Sequence, residues 1–209
     1  MSIYATKTSS EPTIEAGTYL ARCISMISIG TVPVEYKGEI KLQDKVRISW
    51  ELPTELKEFK EGEGKKPLTI SKNYTLSMHP KSNLRKDLEG WRGKGFTDQE
   101  AERFDITVLL GKVCQLSIVH QPKKDGSGSY ATINSIVTIP KGTTVPPQIT
   151  PLFEFTYEDF DEGKFNSLPD FLKDEMKKSK EYKKHLNPSD TEITQEETIP
   201  EQKDDDLPF

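Results

Sequence analysis

The chain has 209 residues, of which 33% are hydrophobic and 30% are charged, with two cysteines and a formal net charge of −5. This composition excludes collagen-like chains and disulfide-framework proteins, and no apolar run reaches the roughly 18 residues that a membrane-spanning helix needs. The first residues also lack the basic and then apolar pattern of a secretion signal, so the sequence predicts a cytoplasmic protein.

Five segments of the sequence have the apolar and polar alternation that is typical of β-strands. Within residues 43–52, Val46, Ile48 and Trp50 share one face, whereas Lys45 and Arg47 share the other. A glycine- and lysine-rich stretch at 122–128 predicts a flexible hairpin loop between the last two strands. The predicted strands are 17–30, 43–52, 68–78, 112–121 and 129–139.

Helical segments are predicted between the third and fourth strands and again near the C-terminus. Residues 82–91 read as a short helix, and Thr97 and Glu100 have the spacing of a capping box. Five strands with a helix after the third follow the order of the OB-fold, a five-stranded Greek-key barrel, and we therefore expect a mainly β protein of this class. A proline-containing linker then leads to an amphipathic, basic helix over 167–184, with Leu168, Phe171, Leu172 and Met176 as its apolar stripe.

Charge divides the chain into a basic body and an acidic end. Residues 1–145 contain 21 Lys and Arg against 17 Asp and Glu, a net charge of +4, whereas residues 146–209 contain 8 against 17, a net charge of −9. A segment as acidic and poor in aromatic residues as the last part buries too little apolar surface to fold. The predicted organisation is an OB-fold domain over 1–145, a linker and helix over 146–186, and a disordered acidic tail over 187–209.

The last six residues carry the most specific pattern in the sequence. They place a phenylalanine and its terminal carboxylate behind a proline and a block of aspartates, which suits docking of the ring into an apolar pocket with a basic rim on a partner protein. The alternative is a tail that serves only solubility. The residues predicted to bind a partner are Asp204, Asp205, Asp206, Leu207, Pro208 and Phe209.

This ending resembles the C-terminal tip of bacterial single-stranded DNA-binding proteins, and the enlarged body is more similar to the single-stranded DNA-binding proteins of bacteriophages. The resemblance implies an OB-fold that coats single-stranded DNA in replication, recombination and repair, and a tip that recruits the enzymes of those processes. It also implies the host cell cytoplasm as the location if the protein is encoded by a phage. Oligomeric state stays open, because an edge strand could pair two copies.

The body contains the residue types that single-strand binding uses, which are cations for the phosphates and aromatic rings for base stacking. For Trp91 and Phe96, packing against the sheet is an equally good interpretation. For Tyr130 and the basic side chains, DNA contact is favoured. The candidate residues are Lys45, Arg47, Arg85, Lys86, Trp91, Arg92, Lys94, Phe96, Lys123, Lys124 and Tyr130.

Catalytic and metal-binding alternatives have little support in the sequence. The three histidines lie outside nucleophile and metal-ligand motifs, and Gly111 with Lys112 lacks the upstream glycine of a phosphate-binding loop. The sequence therefore predicts no enzyme, no cofactor and no metal. An OB-fold adaptor that binds other proteins and a strand-annealing recombination protein stay as alternatives.

Overall fold

The computed structural model describes residues 14–36 and 38–187, so the predicted tail beyond Asn187 lies outside the described residues. A short 3₁₀ helix, Ile106–Leu109, precedes the fourth strand. The strands are β1 (Gly17–Tyr36), β2 (Glu39–Glu58), β3 (Lys65–Thr75), β4 (Val113–Pro122), β5 (Ser129–Val137) and β6 (Phe153–Phe155). The helices are α1 (Asn83–Arg92), α2 (Asp98–Glu102), α3 (Glu162–Ser167), α4 (Asp170–Met176) and α5 (Lys180–Leu186).

The fold is mixed α/β and is built on one six-stranded sheet. Antiparallel pairing gives the order β3-β2-β1-β4-β5, and β6 adds to β1 in parallel at residues 25–27 of β1. The five predicted strands and the helix after the third are confirmed. The sheet also contains a sixth strand, β6, and the fold is mixed α/β, so the predicted count of five strands and the description as mainly β are corrected. Within the described ranges, every helix falls short of the length and apolarity that a bilayer crossing demands.

The sheet is not closed into a barrel, because β3 and β5 are its two ends. A buried polar contact spans the opening between these strands instead of a ladder of backbone hydrogen bonds. The Nζ of Lys72 on β3 lies 2.7 Å from the Oδ2 of Asp87 on α1 and 3.4 Å from the carbonyl oxygen of Ile133 on β5. Tyr74, also on β3, donates to the same Asp87 oxygen at 2.8 Å, so this carboxylate joins β3 to α1, and Lys72 provides the contact with β5.

The first of two hydrophobic cores lies between the inner face of the sheet and α1. Trp50 of β2 is fully buried and its ring centroid lies 5.9 Å from that of Trp91 on α1. Helix α1 approaches β5 so closely that a Cβ atom at Gly90 would collide with the carbonyl oxygen of Ile136. The position is glycine although glycine disfavours a helix interior, since no larger residue permits this contact.

The second core forms on the opposite side of β1, where two register shifts interrupt the strand. The shifts lie between Cys23 and Ser25 and between Ser28 and Gly30, and each inserts an extra residue that changes which side chains face outward. As a result Ile27 and Ile29 pack against Phe155 of β6 and the C-terminal helices. The C-terminal segment is therefore attached to β1 and not to an edge of the sheet.

The single helix predicted over 167–184 is wrong, since α3, α4 and α5 occupy this region. Ser167 ends α3 and its hydroxyl donates to the carbonyl oxygen of Lys164, so it does not cap the next helix. Ser179 caps α5 by accepting from the backbone N–H of Tyr182 at 3.1 Å. Capping serine and proline residues divide the segment because each one sets non-helical backbone angles before a new first turn.

The proline-containing linker is held against the sheet by Glu51 of β2, which is fully buried. Its carboxylate accepts from the backbone N–H groups of Ile149 and Thr150, at 3.2 and 2.8 Å. Arg22 completes this contact by donating to the carbonyl oxygens of Gly111 and Pro146. A buried carboxylate is tolerated when hydrogen bonds satisfy its oxygen atoms, as they do for Glu51. These hydrogen bonds fix the path of the chain toward β6.

Candidate nucleic-acid interface

The outer face of β2 and β3 is a polar surface on two paired strands. In the register of the pair, Lys45 lies opposite Thr75, Arg47 opposite Asn73 and Ser49 opposite Ser71. The alternate side chains of β2, including Val46 and Ile48, point into the first core. The predicted separation of the two faces of this strand is thus confirmed, and Lys45 and Arg47 share the outer face.

Arg47 is the centre of this surface. Its Nη1 donates to the Oδ1 of Asn73 at 2.9 Å, and its guanidinium carbon lies 5.5 Å from the centroid of the Phe171 ring on α4. Partial burial lowers the pKa of Arg47 from its ordinary value, while Glu175 opposes that change. The guanidinium is therefore already oriented by an amide and an aromatic face, which reduces the ordering cost of binding a phosphate.

Phe171 is an exposed aromatic residue that the sequence pattern assigned incorrectly. Its neighbours Leu172 and Met176 are buried in the second core, whereas Phe171 keeps 60% of its surface exposed beside Arg47. The predicted apolar stripe included Phe171 because it follows Leu168 by three residues in a helix that was expected to be continuous. Since α4 begins only at Asp170, that spacing does not place the two side chains on one helix face.

Lys45 is partly neutralised by α4. Its Nζ lies 3.7 Å from the Oε1 of Glu175, and both side chains are partly buried. An ion pair at this distance that is still partly open to solvent contributes little to stability, so a phosphate oxygen can replace the glutamate without a large penalty. We name the surface formed by Lys45, Arg47, Ser49, Ser71, Asn73 and Phe171 the β2–β3 face.

The candidate residues on and after α1 have structural contacts. The Trp91 and Phe96 rings are 6% and 7% exposed, so the packing interpretation accounts for both, and neither ring can stack on a base in this conformation. Arg85 donates to Glu89 and to the carbonyl oxygens of Met78 and Phe96. We therefore exclude Trp91, Phe96 and Arg85 from the candidate interface.

Arg92 also has a structural role. It lies 2.7 Å from Glu100 and 4.0 Å above the centroid of Phe96, where it joins α1 to the predicted capping box, which is confirmed at Thr97. The Arg92 guanidinium, with the Thr97 backbone, holds the pKa of Glu100 at about 2. Lys86 and Lys94 are exposed, although Lys94 lies 3.5 Å from Glu100.

The β4–β5 hairpin carries the remaining candidates. Tyr130 is 45% exposed and donates to the Oε1 of Gln121 at 3.1 Å, which orients its ring at the start of β5. Lys124 is exposed and Lys123 is partly exposed in the connecting turn. Their positions agree with the predicted loop, but they belong to a different pair of strands from Lys45 and Arg47.

Among residues 14–36 and 38–187, no cluster of three or more His, Cys, Asp or Glu side chains could hold a metal ion. Cys23 and Cys114 are buried thiols, and burial raises the pKa of Cys23 to about 12. A thiol with this pKa is not ionised at neutral pH and is a poor nucleophile.

The chain matches no protein-family model, and its comparison with curated proteins gives no significant match.

Proposed function

We propose that this protein is a non-enzymatic single-stranded DNA-binding protein and that its sheet is an enlarged OB-fold open between β3 and β5. The order β3-β2-β1-β4-β5, with a helix between β3 and β4, supports this description of the fold. In OB-folds the face of the second and third strands, together with the loops beside it, binds oligonucleotides. The β2–β3 face is the corresponding surface here.

The pairing of Arg47 with the exposed Phe171 ring is the observation that carries the proposal. Binding without sequence preference needs a π-surface for the bases and a cation for the phosphates, because every base offers a ring face and every nucleotide a phosphate. Phe171 and Arg47 supply both within 5.5 Å, beside the hydroxyl groups of Ser49 and Ser71. The β4–β5 hairpin, with Tyr130 and Lys124, gives a second place where DNA can contact the protein.

We further propose that the C-terminal residues recruit replication, recombination or repair proteins. This part rests on the sequence resemblance of the last six residues, from Asp204 to Phe209, which lie outside the described residues. The aspartates would meet a basic rim and the Phe209 ring an apolar pocket on the partner, as in other carboxylate-terminated docking peptides.

The first prediction concerns DNA binding by the full-length protein. We expect a fluorescent oligo(dT) to bind more tightly than a duplex of the same length, and its affinity to fall by about tenfold from 50 to 200 mM salt, the slope expected for two or three phosphate contacts. Fluorescence anisotropy with both DNAs and with oligo(rU) measures this. An adaptor protein would leave all three probes unbound, and annealing of complementary strands would favour the recombination alternative.

The second prediction concerns the acidic tail, which carries a net charge of −7 over residues 185–209. Deleting 188–209 should tighten oligo(dT) binding about threefold at 20 mM salt and leave it unchanged at 200 mM, because salt screens competition between the tail and DNA. Deleting only 207–209 is the matched control, since it keeps every acidic residue and should not change the affinity. Equal affinities at 20 mM salt would rule out the competition.

A further inference from the structure

A cleft of about 330 Å³ opens at the junction of the two cores, away from the side chains of the β2–β3 face. Its apolar lining includes Val46 of β2, Leu76 after β3, and Phe155 of β6. Leu76 is partly exposed there, so the cleft offers apolar surface that the fold itself does not fill. A cavity of this kind accepts one bulky side chain of a ligand.

The charges around this cleft all have one sign. Among its described lining residues, all those with an acidic or basic side chain are acidic: Asp44, Glu154, Glu158 and Glu181. Burial and the nearby Glu181 carboxylate raise the pKa of Asp44 from its ordinary value. The repulsion between these groups is relieved when a cation binds, so the rim favours a positively charged ligand.

Glu181, one of these four carboxylates, has a structural partner. Its two carboxylate oxygens accept from the backbone N–H and the hydroxyl of Thr31, both at 2.7 Å, which fastens α5 to β1. The charge available to a ligand therefore comes from Asp44, Glu154 and Glu158. These belong to β2, to β6 and to the segment after β6, so three separate parts of the fold bring carboxylates to the opening.

We propose that this cleft docks a peptide segment of a partner protein in which one bulky apolar side chain is flanked by lysine or arginine residues. The apolar side chain fills the space against Leu76 and the partly exposed Ile106, and the flanking cations meet the carboxylate rim. Interfaces of this design combine a desolvated anchor with a polar rim that sets specificity. Because the same carboxylates repel phosphates, DNA on the β2–β3 face and a basic peptide in the cleft do not compete.

A neighbouring cleft extends the groove beyond the anchor site. It shares Tyr157, Glu158 and Glu181 with the first cleft and adds Lys184 and His185 of α5. Lys184 adds a positive charge to this second cleft, so a bound segment that continues past the anchor keeps its basic side chains at the first cleft, near Asp44 and Glu158. The continuity favours a peptide over a small cation, which would use only the rim.

The test uses full-length protein and the fluorescent peptide Lys-Lys-Leu-Phe-Lys-Lys at 50 mM salt. We expect it to bind, and a peptide with glutamates in place of the lysines, or serine and glycine in place of leucine and phenylalanine, to bind at least tenfold more weakly. The triple variant Asp44→Asn, Glu154→Gln, Glu158→Gln should lose about tenfold in affinity for the basic peptide. Leu76→Gln should lower the affinity for the same peptide, because it removes the apolar contact with the anchor side chain.

The matched control is Asp159→Asn, which removes an exposed carboxylate next to Glu158 that does not line the cleft. It should leave peptide affinity unchanged. Equal binding of the acidic peptide, or unchanged affinity in the triple variant, would overturn the proposal. If the protein self-associates and the triple variant abolishes this self-association, the proposal would also be overturned, because the cleft would then bind a second copy of the chain. Oligo(dT) binding is measured on the same variants, so a failure of either function is seen separately.

Discussion

Replacing Gly30 with alanine is expected to detach α3, α4 and α5 from β1 while the first core stays folded. Gly30 follows the second register shift of β1 and has a φ of +83°. A Cβ atom there would lie 2.6 Å from Glu181 Oε2 and 2.9 Å from both Ser179 Cβ and Tyr157 Cε2. These three atoms come from the elements that form the second core, so all of them must move for the variant to fold.

The expected loss has two sources. The left-handed backbone conformation costs an alanine about 1–2 kcal/mol. Displacing Glu181 adds the loss of its two hydrogen bonds to Thr31, each worth about 1.5–3 kcal/mol for a charged acceptor. Tyr157, whose hydroxyl donates to the carbonyl oxygen of Ile29, moves as well. Even the lower end of these losses, about 4 kcal/mol in total, would lower the protection of the C-terminal helices by about a thousandfold.

Hydrogen exchange of residues 162–186, read by mass spectrometry, measures this loss directly. Trp50 and Trp91 both lie in the first core, so their fluorescence reports whether the sheet and α1 stay intact. Gly62→Ala is the matched control, because Gly62 also has a φ of +83° but nothing lies within 4 Å of its added Cβ. Equal exchange of residues 162–186 in the two variants would show that the collision at Gly30 does not release the C-terminal helices.

The sequence allows the sheet and its first core to be predicted because alternation survives wherever one face of a strand is buried. Val46, Ile48 and Trp50 alternate with polar residues, and all three are buried as predicted. Local hydrogen bonds can be predicted equally well, since Thr97 and Glu100 form the predicted capping box. Both signals depend on residues within a few positions of one another, which is why no tertiary information is needed.

The second core could not be predicted, because it depends on the two irregularities of β1. An extra residue at each register shift moves Ile27 and Ile29 to the outer face, and nothing in the sequence of 17–30, which is rich in apolar residues, marks where these shifts occur. Strand β6 has three residues, too few for a periodic pattern. The outward position of Phe171 follows from how α4 packs on this core. The sequence therefore predicted the cation of the candidate interface, Arg47, but not its aromatic ring, Phe171.

The double variant Phe171→Ala, Arg47→Ala is expected to bind oligo(dT) about a hundredfold more weakly than the unmodified protein. Loss of one base stack costs about 1–3 kcal/mol, and loss of the arginine removes one phosphate contact, which lowers the salt slope by about 0.7. Each single variant should lose about tenfold, and only Arg47→Ala should change the slope. Both side chains lie outside the two cores, so thermal unfolding should change little.

Two exposed residues elsewhere serve as controls. Phe59 in the β2–β3 turn is 56% exposed, close to the exposure of Phe171, and Arg103 at the end of α2 is exposed like other surface cations. Phe59→Ala and Arg103→Ala should keep the affinity within about twofold, since neither ring nor cation borders the β2–β3 face. If all four single variants weaken oligo(dT) binding equally, binding depends on general charge and apolar surface and not on this face.

Gly30→Ala links the two predictions, because releasing α4 withdraws Phe171 from Arg47. This variant should therefore weaken oligo(dT) binding as much as Phe171→Ala does.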